Sequence, residues 1–271
     1  MSAWTIITGL LIGLFVEGVV LFLVLPMLKE TGCSAQNYQG IDIPVSAGIS
    51  FPMTLITTMV IYMLLGWYDN AYLLFIFGIT AVSFLGFIDD RLGRRDTLGF
   101  KGHFGKLFKG KLTTGGLKAL GGGMIALFLA FSIGGTWYDV LLNTFIIALF
   151  TNLLNLFDLR PGRAIKGFFF LLAIIAGFAR FDNEWMFIVP LIGAVIIYFP
   201  VDLKAKAMMG DAGSNVLGLG LGYISALSLT LNLRIGVLIF LLAVHIYTER
   251  YSLTKTIEQN RVLRWIDELG R

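Results

Sequence analysis

The chain has 271 residues, 57% of them apolar and only 14% charged, with 21 Lys and Arg against 17 Asp and Glu. A mean hydropathy of +0.82 leaves too little polar surface to cover a water-soluble core of this size, so an ordinary soluble domain is excluded and an all-α, polytopic integral membrane protein is expected. A single cysteine, Cys33, rules out an intramolecular disulfide framework and a Cys-based zinc site, and two histidines, His103 and His245, argue against a His-rich metal centre.

A helix needs roughly 20 residues to cross ~30 Å of hydrocarbon, and nine apolar runs approach that length: 4–28, 49–66, 71–88, 118–135, 138–156, 165–180, 185–200, 212–231 and 234–249. The first run has no basic flank and exceeds a secretory apolar core, so it reads as a retained span and not a cleaved signal. After the ninth run, Leu253, Ile257, Val262, Leu263, Ile266 and Leu269 recur at helical spacing among Lys255, Arg261, Arg264 and Arg271. That pattern predicts an amphipathic helix on the membrane surface. It divides the chain into a transmembrane domain, 1–250, and a tail, 251–271. With the N-terminus outside, 19 of the 21 basic residues fall on the inner side, all but Arg180 and Arg234, which sets the expected orientation by the positive-inside rule. The C-terminus then lies in the cytoplasm, and a multi-pass plasma-membrane location is expected.

The same orientation gathers the acidic and amide residues on one face. Asp89 and Asp90 close the third run after Gly86. A carboxylate pair at a membrane edge is costly and suits a hard cation or a division of labour between ligand and base, although a solvated helix end is the plainer reading. Asn152, Asn155 and Asp158 recur at i, i+3 and i+6 at the end of the fifth run, where they offer amide and carboxylate groups to a metal or phosphate or bond between helices. Arg160 and Arg163 follow at once and suit bidentate phosphate contacts, as an inside-positive loop also would. Met209-Gly210-Asp211-Ala212-Gly213-Ser214-Asn215 opens the eighth run. There Asp211 or Ser214 can cap a helix whose first-turn N–H groups attract an anion. No Walker motif occurs, so ATP hydrolysis is not suggested.

Gly86-Phe87-Ile88-Asp89-Asp90, Asn152-Leu153-Leu154-Asn155-Leu156-Phe157-Asp158 and Met209-Gly210-Asp211-Ala212-Gly213-Ser214, in that order and at matching span ends, resemble the signatures of the polyprenyl-phosphate N-acetylhexosamine-1-phosphate transferases. This family contains phospho-MurNAc-pentapeptide transferase and the GlcNAc-1-phosphate transferases. Asn37-Tyr38-Gln39-Gly40 with Ile43-Pro44 is similar to its first cytoplasmic loop, and the likeness covers roughly residues 37–222. The chain is similar to a short branch. Leu159-Arg160-Pro161-Gly162 stands where the family continues with a second acidic residue, and His245, Glu249, Arg250 and the tail stand where it has a His-rich loop and a tenth span.

The resemblance implies transfer of a sugar-1-phosphate from a nucleotide sugar to a membrane polyprenyl phosphate with Mg²⁺, or Mn²⁺ in its place. Asp89, Asp90 and Asp158 are the expected catalytic carboxylates, Asp211 and Asp90 the expected metal ligands, and Asn152, Asn155, Arg160, Arg163, Lys111 and Ser214 the expected substrate-binding residues. The implied partners are the lipid phosphate, the nucleotide sugar and the membrane, with a homodimer compatible and nucleic acid not expected. The alternatives are a non-catalytic lipid-phosphate binder or transporter on the same scaffold, or a phosphotransferase or hydrolase with another donor.

Overall fold

The computed structural model describes residues 3–67, 69–93, 113–179 and 184–271. The described residues form eleven α-helices, which are α1 Ala3–Glu30, α2 Ser50–Leu64, α3 Asn70–Leu92, α4 Thr114–Ile133, α5 Trp137–Phe157, α6 Arg163–Phe178, α7 Trp185–Leu203, α8 Asp211–Ser228, α9 Leu231–Arg250, α10 Leu253–Gln259 and α11 Arg261–Glu268. Between α1 and α2 lie a hairpin of two short antiparallel strands, β1 Ser34–Gln36 and β2 Asp42–Pro44, and a 3-10 turn, Ala47–Ile49. The protein is an all-α, multi-pass membrane protein.

The nine apolar runs each become a helix, and among the described residues seven of these are long and apolar enough to cross a membrane, so the nine expected spans are seen only in part. The two others fall short for different reasons. Helix α6 has 16 residues, fewer than a span needs. Helix α8 has 18, among them Asp211, Ser214, Asn215, Ser225 and Ser228. Its surroundings explain that composition, since almost every α8 side chain is buried and the helix meets protein on all sides.

Helix α8 is the axis of the bundle, packed chiefly against α5 and α3, while α1 pairs with α7 and α4 bridges α3 and α5. Small residues allow this closeness. A Cβ on Gly218 or Gly222 would run into the α5 backbone at Phe150–Thr151 or Ile147, so the α5–α8 contact is backbone on backbone, as in small-residue packing between membrane helices. Aromatic rings fill another part of the core, where Phe187 meets Tyr72, Phe75 and Tyr223, and Phe75 meets Tyr223.

Helix α9 is peripheral. It lies against α5 and buries only Leu241. Its first turn is held by Arg234, which donates to Asn143 Oδ1 at 2.8 Å and Asp139 Oδ1 at 2.9 Å.

Glu17 of α1 is fully buried and accepts hydrogen bonds from Ser50 Oγ and Thr54 Oγ1 of α2, each at 2.6 Å. Both carboxylate oxygens thus staple α2 to α1. Glu17→Ala is expected to lower stability by on the order of 2–4 kcal/mol, because each buried hydroxyl left without an acceptor costs about 1–3 kcal/mol. Glu17→Gln, which keeps an acceptor, should lose less. Thermal unfolding in detergent checks the ranking, and equal losses for the two variants would rule out the staple.

The tail differs from the expected single amphipathic helix. It breaks at Asn260, whose extended backbone ends α10 and whose Oδ1 accepts from the N–H groups of Val262 and Leu263. Asparagine competes for backbone donors and favours a cap over a helix interior, so two short helices replace one.

Candidate functional site

The ends of α3, α5 and α7 and the starts of α2, α4, α6 and α8 converge at one end of the bundle. A cavity of about 390 Å³ opens there, with Asp90, Asp158, Asp202 and Asp211 in its wall beside Arg160 and Tyr38. Its rim is formed in part by the β1–β2 hairpin. In the hairpin turn Asn37 Oδ1 accepts from the N–H groups of Gln39 and Ile41, and Pro44 O accepts from Met208 N at 2.8 Å. The segment resembling a first cytoplasmic loop therefore packs directly on the approach to α8.

Asp90 is the organising carboxylate. It accepts Ser46 Oγ at 2.7 Å, Asp211 N at 3.0 Å and Ala212 N at 3.3 Å. Three of roughly four acceptor sites on the carboxylate are thus filled. The next two amides of α8, Gly213 N and Ser214 N, donate to Gly210 O. The expected anion site at this helix start is therefore already taken, because the anion there is Asp90 itself, reaching across from α3. Asp211 and Ser214 are not the cap. Residue 210 takes φ +69°, which glycine adopts at little cost, and a Cβ there would strike the Asp90 carboxylate. Gly86 supplies the closeness, since a Cβ at that position would collide with the Asp211 backbone.

Asp211 faces away from this cap. Its carboxylate is bonded by Lys118 Nζ and by Asn155 Nδ2, the latter at 2.6 Å. Lys118 also lies 4.0 Å from Asp89 Oδ2, so one ammonium sits between the two carboxylates. Asn155 reaches Ser214 Oγ at 3.4 Å, and Ser214 is fully buried.

Asp158, the C-cap residue of α5, has its carboxyl pushed well above the usual range, by burial first and then by the charges of Asp202, Asp211 and Asp90. The cavity thus gathers four carboxyl groups, Asp90, Asp158, Asp202 and Asp211, against the Arg160 guanidinium in its wall. Asp202 accepts Gly162 N at 2.7 Å and so fixes the Pro161–Gly162 turn.

The expected residues divide accordingly. Asp90, Asp158, Asp211 and Arg160 share the cavity wall, Asn155 and Ser214 lie behind Asp211, and Asp89 joins through Lys118. Asn152 sits half-buried on α5 outside the wall, and Lys111 lies outside the described residues. Arg163, expected to bind phosphate, is turned to another use. It is buried, and its Nε and a terminal nitrogen each donate to Asp267 at 2.8 Å, so its fork is spent on the tail. Asp202 was expected on this face but given no role, and Lys118 was counted only among the inside-positive residues. The signal for Lys118 was a lone cation opening the fourth apolar run, and for Asp202 a carboxylate just past the end of the seventh.

Comparison of the chain with models of known protein families and with curated proteins gave no match. The site is therefore judged on its own chemistry. Among the described residues no three His, Cys, Asp or Glu side chains are grouped to hold a metal ion. Asp90 is committed to the α8 cap, and the Lys118 ammonium lies between Asp211 and Asp89.

Proposed function

We propose that the protein is a polyprenyl-phosphate sugar-1-phosphate transferase, taking its donor from a nucleotide sugar on the cytoplasmic side of a bacterial plasma membrane. The observation that carries this reading is the excess of carboxylates in one cavity at a membrane-edge position, with Asp158 crowded by three others. Such a site needs protons or a divalent cation before it can receive a phosphate.

Mg²⁺ commonly takes one or two protein carboxylates and completes its shell with water and phosphate oxygens. Asp211, whose carboxylate already meets the Lys118 ammonium, fits a cation that arrives with its phosphate, and that ion would neutralise charge on the donor diphosphate. In the transfer, a lipid-phosphate oxygen bonds to the sugar-bearing phosphorus. The P–O bond to the other phosphate breaks, releasing a nucleoside monophosphate. Phosphoryl transfer of this kind is limited by positioning and charge. Here Asp90 fixes the α8 start and so aims Asp211, Asn155 and Lys118 hold the Asp211 carboxylate, and Arg160 offers a cation at the mouth.

Purified protein given undecaprenyl phosphate, Mg²⁺ and a panel of UDP-sugars is expected to form a lipid-linked diphosphosugar with stoichiometric UMP, and to stop when EDTA is added. Absence of product with every donor, together with lipid-phosphate binding that ignores Mg²⁺, would favour a non-catalytic binder.

A further inference from the structure

The tail is fastened to the loop that walls the cavity and to the start of α6, with one further bond between Tyr247 of α9 and Thr256. Arg163 forms its two-bond pair with Asp267 and donates to Thr254 Oγ1 at 3.0 Å. Lys166 Nζ donates to the carbonyls of Ile266 and Asp267 at the end of α11. Arg271 bonds Pro161 O and Asp267 Oδ1, each at 2.8 Å, and Arg160 pairs with Glu258 at 3.5 Å. Burial disfavours ionised Asp267, but the bonds and charges of Arg163 and Arg271 outweigh it and hold the carboxyl below its ordinary range. Asp267 is also the sole buried residue of α11.

The other side of α11 is open. Val262, Trp265, Ile266 and Leu269, at i, i+3, i+4 and i+7, are all exposed, Val262 by 65% and Trp265 by 64%. This apolar face continues into a groove of about 220 Å³ shared with Phe157 and Phe170. From there it runs on to the exposed stripe of Phe170, Ile174 and Phe178 on α6. The tail begins directly after α9, whose length and composition suit a membrane span, so it starts at the membrane border. Arg261 and Arg264 are exposed beside this apolar face, and basic residues together with a Trp suit the anionic headgroup layer.

We propose that residues 251–271 form a membrane-seated latch: the apolar face of α11 rests in the interfacial layer of the adjacent leaflet, and its opposite face holds the Asp158–Arg163 loop in place through Arg163 and Asp267. The bilayer thereby becomes part of what positions the cavity wall. The latch deepens the transferase reading but is tested without turnover, so either can fail alone.

Full-length protein carrying Cys33→Ala and one spin-labelled cysteine is placed in nanodiscs of phosphatidylglycerol and phosphatidylethanolamine. A label at Val262→Cys is expected to collide with oxygen and to be shielded from a nickel chelate, and one at Arg264→Cys to show the reverse. Equal nickel access at both positions overturns the lipid seat, as does shielding of position 262 from both reagents, which would put protein there. For the latch itself, a label at Leu159→Cys should gain nickel access about twofold when Asp267→Asn frees the loop, and not with Glu268→Gln. Arg271→Gln, which leaves the Arg163–Asp267 pair intact, should move it in the same direction by less. No change at position 159 in either Asp267→Asn or Arg271→Gln overturns the latch.

Discussion

Asp211→Asn is expected to abolish measurable transfer while leaving the fold intact. The amide keeps the size of the side chain and one acceptor for Asn155 Nδ2, now 2.6 Å from the carboxylate, but it removes the charge that meets Lys118 and a cation. Removing a single preorganised electrostatic contact to a transition state costs roughly 10²–10³-fold in kcat, and a loss of at least that order is expected in the proposed transfer. Mg²⁺ dependence should weaken in the same variant if the proposed ligand has gone with it. The assay is UMP release with titrated Mg²⁺, beside thermal unfolding of the same preparation. If activity and Mg²⁺ response are retained, Asp211 does not serve the metal. Asp90→Asn is expected to behave differently. Asp90 accepts two backbone amides and a hydroxyl, so its loss should appear in stability as well as in activity.

The second large effect lies at a residue with no side chain. Gly86→Ala should destabilise the protein by about 1–3 kcal/mol, the usual cost of forcing a methyl into a filled space. It should also reduce activity, since the added carbon meets the Asp211 backbone and nothing there is flexible enough to turn aside. Separating α3 from α8 lengthens the bonds by which Asp90 caps Asp211 and Ala212. Gly122→Ala is the matched control. Its added carbon meets nothing within 4 Å, and alanine favours a helix over glycine by up to about 1 kcal/mol, so stability should hold or rise slightly. Equal behaviour of the two variants in thermal unfolding would refute the close-contact account.

Much of the site was legible because each motif sits where an apolar run ends. Asp89-Asp90, Asn155, Asp158 and Asp211 were expected on one face by counting spans, and the described helices carry them to a common end. Local spacing could not supply the pairings between distant residues. Arg163 looks like a phosphate ligand until Asp267, 104 positions later, is found in its fork. The amides of the α8 start look free until Asp90, 121 positions earlier, is found on them. Helix α8, expected as a span, is not among the seven for a related reason, since a helix wrapped in other helices need not be uniformly apolar. The division of the tail turned on one capping asparagine, whose preference is local but weak against the apolar periodicity around it.

Helix α9 adds almost nothing to the core, yet it is anchored at its start by Arg234 and leads, at its far end, straight into the tail. A rod fixed in this way works as a ruler. Its 20 residues set both the reach and the rotational phase at which α10 and α11 arrive under α6. One residue more or fewer would advance the far end by only ~1.5 Å but turn it by ~100°, so the number of residues in a helix that touches little decides where Asp267 points.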